Sequence, residues 1–396
     1  MRKKIYTVIL VAALLSGNAI ADEINIRGAY SQGYIETTKL NYLIDDSKEG
    51  SLQFNELNVN FSKPINDAFH VGFGLSARNL GALYNNEMTL SWAYGDYHYK
   101  DYLGLRMGRI KTPVGLFNET RDMDMFRTGI ILPGAYPEAY RDFLSFLDGA
   151  GVYGTIPVPY IGNFLYQVNM GTQDASADGG TGSYLNERLR VLKANVHNIH
   201  LIDKSIVMDL KWETPIPGLM LGETYYTIGD VELPTSIFHP LLGAQEATLR
   251  INDLLVCLSS LKYSYNNFTF ISEYMNFEME NNVTTNSGMK LVKAKPVFIE
   301  SWYFNPSYRF TEWFEVGAYY SEFYPTKYER SEEYLKDICL SLRFDINESW
   351  LAKLEWHQMK GIGYVPQSYN PDEAWATDDL SDEEWTLFAA KVTFNF

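Results

Sequence analysis

The sequence contains few residues of the kinds that build metal centres or disulfide frameworks. It has two cysteines and six histidines in 396 residues. It has no His-Glu-x-x-His zinc pair, no Gly-x-Ser-x-Gly nucleophile elbow and no phosphate-binding glycine loop. After Ile5–Leu15, no apolar run is long enough to cross a bilayer as a helix. These absences argue against an enzyme and against a helical membrane protein, and they predict no metal and no cofactor.

Positive charge is also scarce. Lys and Arg number 33 against 49 Asp and Glu, which gives a formal net charge of -16. Such acidity argues against a nucleic-acid partner. Three of the cations, Arg2, Lys3 and Lys4, precede the apolar run, and Ala19-Ile20-Ala21 offers a small-x-small cleavage site. We predict a cleaved secretory signal over residues 1–21, with a retained anchor helix as the alternative.

The two cysteines, Cys257 and Cys339, fall within predicted strands. Four strand spacings of about 4.8 Å separate them by about 19 Å. A disulfide needs α-carbons within about 7 Å, so we predict two free thiols. His197 and His200 are the nearest approach to a metal pair, but no third ligand lies near them in the sequence.

The end of the chain alternates between apolar and polar residues. One face carries Phe388, Ala390, Val392, Phe394 and Phe396, and the other carries Lys391, Thr393 and Asn395. This pattern predicts a strand between hydrocarbon and a polar interior. It resembles the last strand of bacterial outer-membrane barrels, which ends in an aromatic residue.

Similar segments recur throughout residues 22–396, separated alternately by short turns and long polar connections. Seven short turns rich in Pro, Gly, Asn or Asp predict seven hairpins, which contain fourteen strands. The first and last strands bring the predicted number to sixteen. The predicted fold is an all-β, transmembrane antiparallel β-barrel, and a soluble β-sandwich is the rival. The strands are predicted near 23–36, 51–62, 68–78, 87–99, 102–110, 149–158, 163–171, 203–213, 218–229, 250–265, 268–279, 297–309, 313–325, 335–346, 350–360 and 384–396.

Charged residues within these strands are predicted to face the barrel interior. A Lys or Arg on the lipid face near mid-membrane costs about 2–4 kcal/mol. The predicted lumen residues are Arg27, Arg78, Arg106, Arg343, Lys353, Glu355 and Lys391. A charged interior of this kind predicts a water-filled lumen. In strands 250–265 and 297–309 apolar residues occupy both faces, which either a partner chain or a β-bulge would explain.

The third outer connection spans residues 111–148. Loops of this length in a compact fold usually have a function, so we expect one here. Its charged residues are candidates for lining a constriction: Lys111, Glu119, Arg121, Asp122, Asp124, Arg127, Arg141 and Asp142. The alternative is a solvated surface loop whose charges form local salt bridges.

The segment Leu105–Phe117 leads into this loop and carries the pattern Gly-Arg-x-Lys-x-Pro-x-Gly. It resembles the corresponding segment of the phosphate-selective porin O/P-like group of Gram-negative porins. The resemblance implies an inward-folded third loop and a homotrimer. It also implies a lysine-rich lumen, from which this sequence departs by mixing acidic and basic residues. Pro113 is expected to end the strand, and Gly115 is expected to let the chain bend toward the lumen.

We therefore expect an outer-membrane porin that passes ions and small hydrophilic solutes by passive diffusion and contacts outer-membrane lipid. Two alternatives stay open. The barrel could sheathe a partner such as a multihaem electron conduit, or it could be an adhesin or enzyme acting through its outer loops.

Overall fold

The computed structural model describes residues 24–173, 175, 179–189, 195–239, 243–285, 290–292, 296–328, 330–331, 333–371, 373 and 383–396. The predicted signal, residues 1–21, lies outside this set. Sixteen strands form a closed antiparallel barrel. They are β1 Asn25–Thr37, β2 Ser51–Asn66, β3 Phe69–Leu80, β4 Thr89–Lys100, β5 Leu103–Lys111, β6 Phe146–Val158, β7 Gly162–Thr172, β8 Ser205–Glu213, β9 Leu219–Ile228, β10 Gly243–Tyr265, β11 Phe268–Thr285, β12 Pro296–Thr311, β13 Phe314–Tyr324, β14 Leu335–Asp345, β15 Trp350–Gly361 and β16 Glu384–Asn395.

The barrel closes between its first and last strands. β1 pairs with β2 on one side and with β16 on the other, where the register runs from Ala29 opposite Asn395 to Thr37 opposite Leu387. Closure leaves no unpaired sheet edge, which a bilayer requires because its core offers backbone groups no water. All sixteen predicted strands are therefore confirmed, and the β-sandwich alternative is wrong.

The side chains of β16 follow the predicted alternation. Leu387, Ala389 and Lys391 are buried, whereas Phe388 and Val392 are 40% and 42% exposed. Exposed apolar side chains continue around the outside of the barrel, including Leu105, Met107, Met208, Leu210, Leu340 and Trp356. An apolar outer wall with polar groups inside matches the predicted orientation.

The strands at the long-loop end extend further than predicted. β10 begins at Gly243, and a strand at Val231–His239 pairs with it to form an outer hairpin. Shorter outer strands lie at Asn195–Val196, His200–Leu201 and Lys290–Val292. Helix α1 spans Arg141–Leu144 and α2 spans Gly180–Leu189, with single 3₁₀ turns at Ser47–Glu49, Asn118–Thr120, Asp124–Phe126, Glu138–Tyr140 and Gln367–Tyr369. Neither α-helix in the described part of the chain is long and apolar enough to cross a membrane.

The apolar residues on both faces of β10 have an explanation within the chain. A bulge does interrupt the pairing of β10 with β11 between Asn252 and Leu255. Beyond it, the inward-facing Val256 and Leu258 are almost fully buried and share a hydrophobic cluster with Val114. Val114 belongs to the third outer connection. That connection therefore covers the inner face of β10, and no partner chain is needed to bury it.

Candidate functional site

The third outer connection, which we call the inner loop, spans residues 112–145 and folds into the barrel. Lys111 and Asp148, which were predicted to lie in it, are instead strand residues of β5 and β6. Gly115 has a φ of +61°, and a β-carbon there would lie 2.2 Å from the hydroxyl of Tyr136. Only glycine fits this bend without strain, as the sequence predicted.

The inner loop is held first by Glu273, a buried carboxylate on β11. Glu273 accepts hydrogen bonds from the Leu116 backbone N–H at 2.9 Å, the Tyr136 hydroxyl at 2.5 Å and the Ser260 hydroxyl at 2.7 Å. The Tyr303 hydroxyl also donates to it. Four donors satisfy the carboxylate, which is 1% exposed. Sequence analysis missed Glu273, although its position on the inward face of a predicted strand was a usable signal.

A second attachment lies on β15. Lys353 donates from Nζ to the backbone carbonyls of Asp124, Arg127 and Gly129 at 2.7, 2.8 and 2.9 Å. Two residues further along, Glu355 accepts the backbone N–H groups of Ile130 and Ile131 at 2.7 and 2.9 Å. The Lys353 cation therefore binds loop carbonyls, and the Glu355 carboxylate binds loop N–H groups. Together the two side chains fix the position of the loop backbone against β15.

Asp124 joins the inner loop to β16. Its carboxylate lies 2.8 Å from Lys391 Nζ and 2.7 Å from Arg127, and it accepts the Thr393 hydroxyl at 2.9 Å. Burial alone would raise the pKa of Asp124, but Lys391, Arg127 and Lys353 together hold it well below its usual range. Asp124 is therefore ionised at neutral pH.

A cluster of opposite charges joins the inner loop to β2 and β3. Glu138 lies 2.7 Å from Arg78, 2.9 Å from Arg121 and 3.1 Å from Arg141. Arg141 also bonds Glu56 at 2.5 Å. Burial would raise the pKa of Glu138, but the three arginines lower it far more. Acidic and basic groups thus neutralise one another across the contact between loop and wall.

The predicted lumen residues are all in strands, but they have different surroundings. Arg343, Lys353, Glu355 and Lys391 are 9%, 2%, 1% and 5% exposed. The inner loop packs over these four side chains, so Lys353 and Glu355 are shielded from water, whereas Lys391 and Arg343 still line cavities beside the loop. Arg106, on the far wall, keeps a side-chain exposure of 22% beside Asp96 at 2.8 Å.

The remaining predicted residues stand apart from that buried wall. Arg27 is exposed at the short-turn end of β1, and Arg78 belongs to the Glu138 cluster. Lys111 donates to Asp122 and to the carbonyl of Glu119. Asp142 accepts the Thr181 hydroxyl of α2.

Two of the cavities among the described residues have linings that include residues of the inner loop. The first has a volume of about 480 Å³, and its charged lining includes Glu56, Arg78, Arg121, Arg127, Glu138, Arg141, Asp337 and Lys391. The second has a volume of about 510 Å³, and its lining includes Met125, Arg343 and Asp345. Arg127 and Ile130 line the first cavity and Met125 lines the second, so both cavities border the inner loop. Both cavities expose acidic and basic groups, and the first is lined as well by apolar side chains that include Leu80, Ile131 and Phe323.

Comparison with known proteins gives a likeness in structure alone. No protein-family model and no curated protein matches the sequence. Among solved structures, OmpF of Salmonella typhi in complex with daunomycin is 13% identical with a TM-score of 0.56, and the match covers 94% of this chain and 97% of that one. The trimer form of OmpT of Vibrio cholerae and the anion-selective porin of Comamonas acidovorans are each 9% identical with TM-scores of 0.54, covering 94% of this chain and 99% of each.

These likenesses agree with the closed barrel, the apolar outer wall and the short turns at one end. The membership of the phosphate-selective porin O/P-like group stays a prediction. The chain has the closed β-barrel fold of outer-membrane porins.

Proposed function

We propose that the chain is a diffusion porin in which the inner loop narrows the path for ions and small hydrophilic solutes. The observation that carries this proposal is the position of the loop, which bonds to β2, β11, β15 and β16 across the interior. A segment attached to opposite walls restricts passage by its own bulk. The charged groups beside the first cavity would then act on passing ions within a Debye length of about 8 Å.

The mixed lining supports weak selectivity. Arg78, Arg121 and Arg141 face Glu56 and Glu138, so neither sign dominates around the first cavity. A general diffusion pore fits this balance better than a phosphate-selective one. The sheath alternative loses support because the inner loop already occupies space that a partner would fill. No contact among the described residues favours an adhesin or an enzyme.

We also propose a homotrimer. Its support is the trimer form in which OmpT of Vibrio cholerae was solved.

The test is conductance of the purified protein in a planar bilayer under a salt gradient. We expect discrete conductance steps, and Arg141→Gln should shift the reversal potential toward cation preference, because Glu56 and Glu138 lose a shared counter-charge. Lys336→Gln is the matched control. It removes the same charge from a position that lies on the same face of β14 as Ile338 and Leu340, which point outward.

Folded protein that does not conduct would overturn the porin proposal. Conductance with equal reversal potentials in Arg141→Gln and Lys336→Gln would overturn the role of the inner loop in selectivity.

A further inference from the structure

Three side chains of the types that can bind metals lie close together on the inner face of β14 and β15, beneath the inner loop. Cys339 stands directly opposite His357 in the register, and Ser341 stands opposite Glu355. Cys339, Glu355 and His357 are 1%, 1% and 0% exposed. Their potential ligand atoms all lie within 4.8 Å of one another.

A carboxylate behind His357 orients the imidazole. Asp337 Oδ1 and Oδ2 each lie 3.1 Å from His357 Nδ1, and the Tyr319 hydroxyl donates to Asp337 at 2.6 Å. When Nδ1–H donates to Asp337, the lone pair of Nε2 points toward Cys339 and Glu355. Metal-binding histidines commonly have such a carboxylate partner.

Two of the three ligand-to-ligand distances fit a tetrahedral ion. Zinc bonds of about 2.3 Å to sulfur and about 2.0–2.1 Å to nitrogen or oxygen place sulfur and nitrogen about 3.6 Å apart, and nitrogen and oxygen about 3.4 Å apart. Cys339 Sγ lies 3.7 Å from His357 Nε2, and His357 Nε2 lies 3.3 Å from Glu355 Oε2. Both separations match before any side chain moves.

We propose that Cys339, Glu355 and His357 bind one zinc ion, with Asp337 as the residue that positions His357. The thiol releases its proton to solvent as the zinc–sulfur bond forms, and the +2 charge is balanced by the thiolate and the Glu355 carboxylate. A water molecule takes the fourth position. Asp337 also lines the first cavity, whereas Cys339, Glu355 and His357 do not.

The competing interpretation is a hydrogen-bond network in which a protonated His357 lies between Asp337 and Glu355. Such a network needs the two carboxylates and the imidazole but not a sulfur atom. Cys339 is therefore the residue that separates the two interpretations. Its thiol faces His357 Nε2, the atom that a metal would use.

The test uses the full-length barrel refolded in detergent and freed of metal by a chelator. Titration with zinc against a chromophoric chelator should show one tightly bound zinc per chain. Cobalt in its place should give the absorption of a thiolate–cobalt bond. We expect Cys339→Ser to lose that absorption and Asp337→Asn to weaken zinc binding about 10–100-fold.

Cys257→Ser is the matched control, because it removes the other thiol, which stands opposite Tyr225 and Asn276 on neighbouring strands. It should keep both the zinc affinity and the cobalt absorption. Wild-type protein that binds cobalt without the thiolate absorption, or that binds no stoichiometric zinc, would overturn the proposal without recourse to any variant. Equal zinc affinity in Cys339→Ser and wild type would overturn it as well.

Discussion

Two parts of the inner wall carry similar charges in different surroundings. On β15 and β16, Lys353 and Lys391 are 2% and 5% exposed beneath the inner loop. On β4 and β5, the side chains of Arg106 and Asp96 are 22% and 17% exposed. Arg106 lies over the rings of Tyr94 and Tyr153, and Asp96 accepts a hydrogen bond from the Tyr153 hydroxyl. We call these the covered wall and the open wall.

The difference shows that strand alternation decides which side of the sheet a charge faces, whereas the loops decide whether it meets water. On the covered wall each cation binds loop carbonyls or Asp124, so the ion pairs act as structural attachments. On the open wall the Arg106–Asp96 pair is partly solvated. Buried pairs are costly to break from one side, and exposed pairs contribute little.

The largest loss of stability is expected from substituting Lys353 on the covered wall. Lys353→Met leaves the carbonyls of Asp124, Arg127 and Gly129 without their donor and removes a cation near Asp124. We expect a loss of about 3–5 kcal/mol of folding free energy. The thermal midpoint of the β-sheet circular dichroism signal in detergent would measure it.

The same variant should loosen the inner loop before the barrel unfolds. The side chains of Arg121 and Arg127 are 4% and 9% exposed in the folded protein. The peptide bonds that follow these arginines should therefore resist trypsin. In Lys353→Met we expect cleavage after these arginines while the barrel stays intact. A variant as resistant to trypsin as wild type would show that Lys353 does not hold the loop.

Much of the barrel could be predicted because its signals are local. Alternation placed Lys391 inside and Phe388 outside, and Gly115 marked the bend into the lumen. The outer strand Val231–His239 was missed because it contains Pro234, and proline weakens a strand prediction.

The attachments of the inner loop could not be predicted in the same way. Glu355 binds the backbone N–H groups of Ile130 and Ile131, which lie 225 and 224 residues away in the chain. Every residue except proline has such a donor, so no side-chain pattern marks the pair. For the same reason, the sequence does not show which inward-facing charges the loop covers and which stay open to the lumen.

Low pH should reduce the stability that Asp124 gives to the covered wall. The pKa of Asp124 is lower in the folded protein than the value of about 3.9 for an unfolded chain. Its contribution to stability is therefore complete above about pH 4–5 and is lost as the pH falls through the folded pKa. We expect the gap in thermal midpoint between wild type and Asp124→Asn to be constant from pH 8 to pH 5 and to narrow below about pH 4.

Asp101→Asn is the control for this titration, because the Asp101 side chain is 97% exposed in a short turn. It removes the same charge without touching the inner loop, so its midpoint should follow that of wild type at every pH. A gap between wild type and Asp124→Asn that is unchanged down to pH 3 would mean that the ionisation of Asp124 does not stabilise the fold.

The smallest effect is expected on the open wall. Arg106→Met removes the bond to Asp96 and the contact with the Tyr153 ring, but water replaces part of what is lost. We expect a cost of about 1.5–3 kcal/mol, below that of Lys353→Met because Asp96 keeps the Tyr153 hydroxyl as a donor, and no new trypsin cleavage in the inner loop. Equal losses from the two variants, measured side by side in the same detergent, would show that cover by the loop does not distinguish the two walls. The comparison is direct because both substitutions put methionine in place of an inward-facing cation of the same barrel.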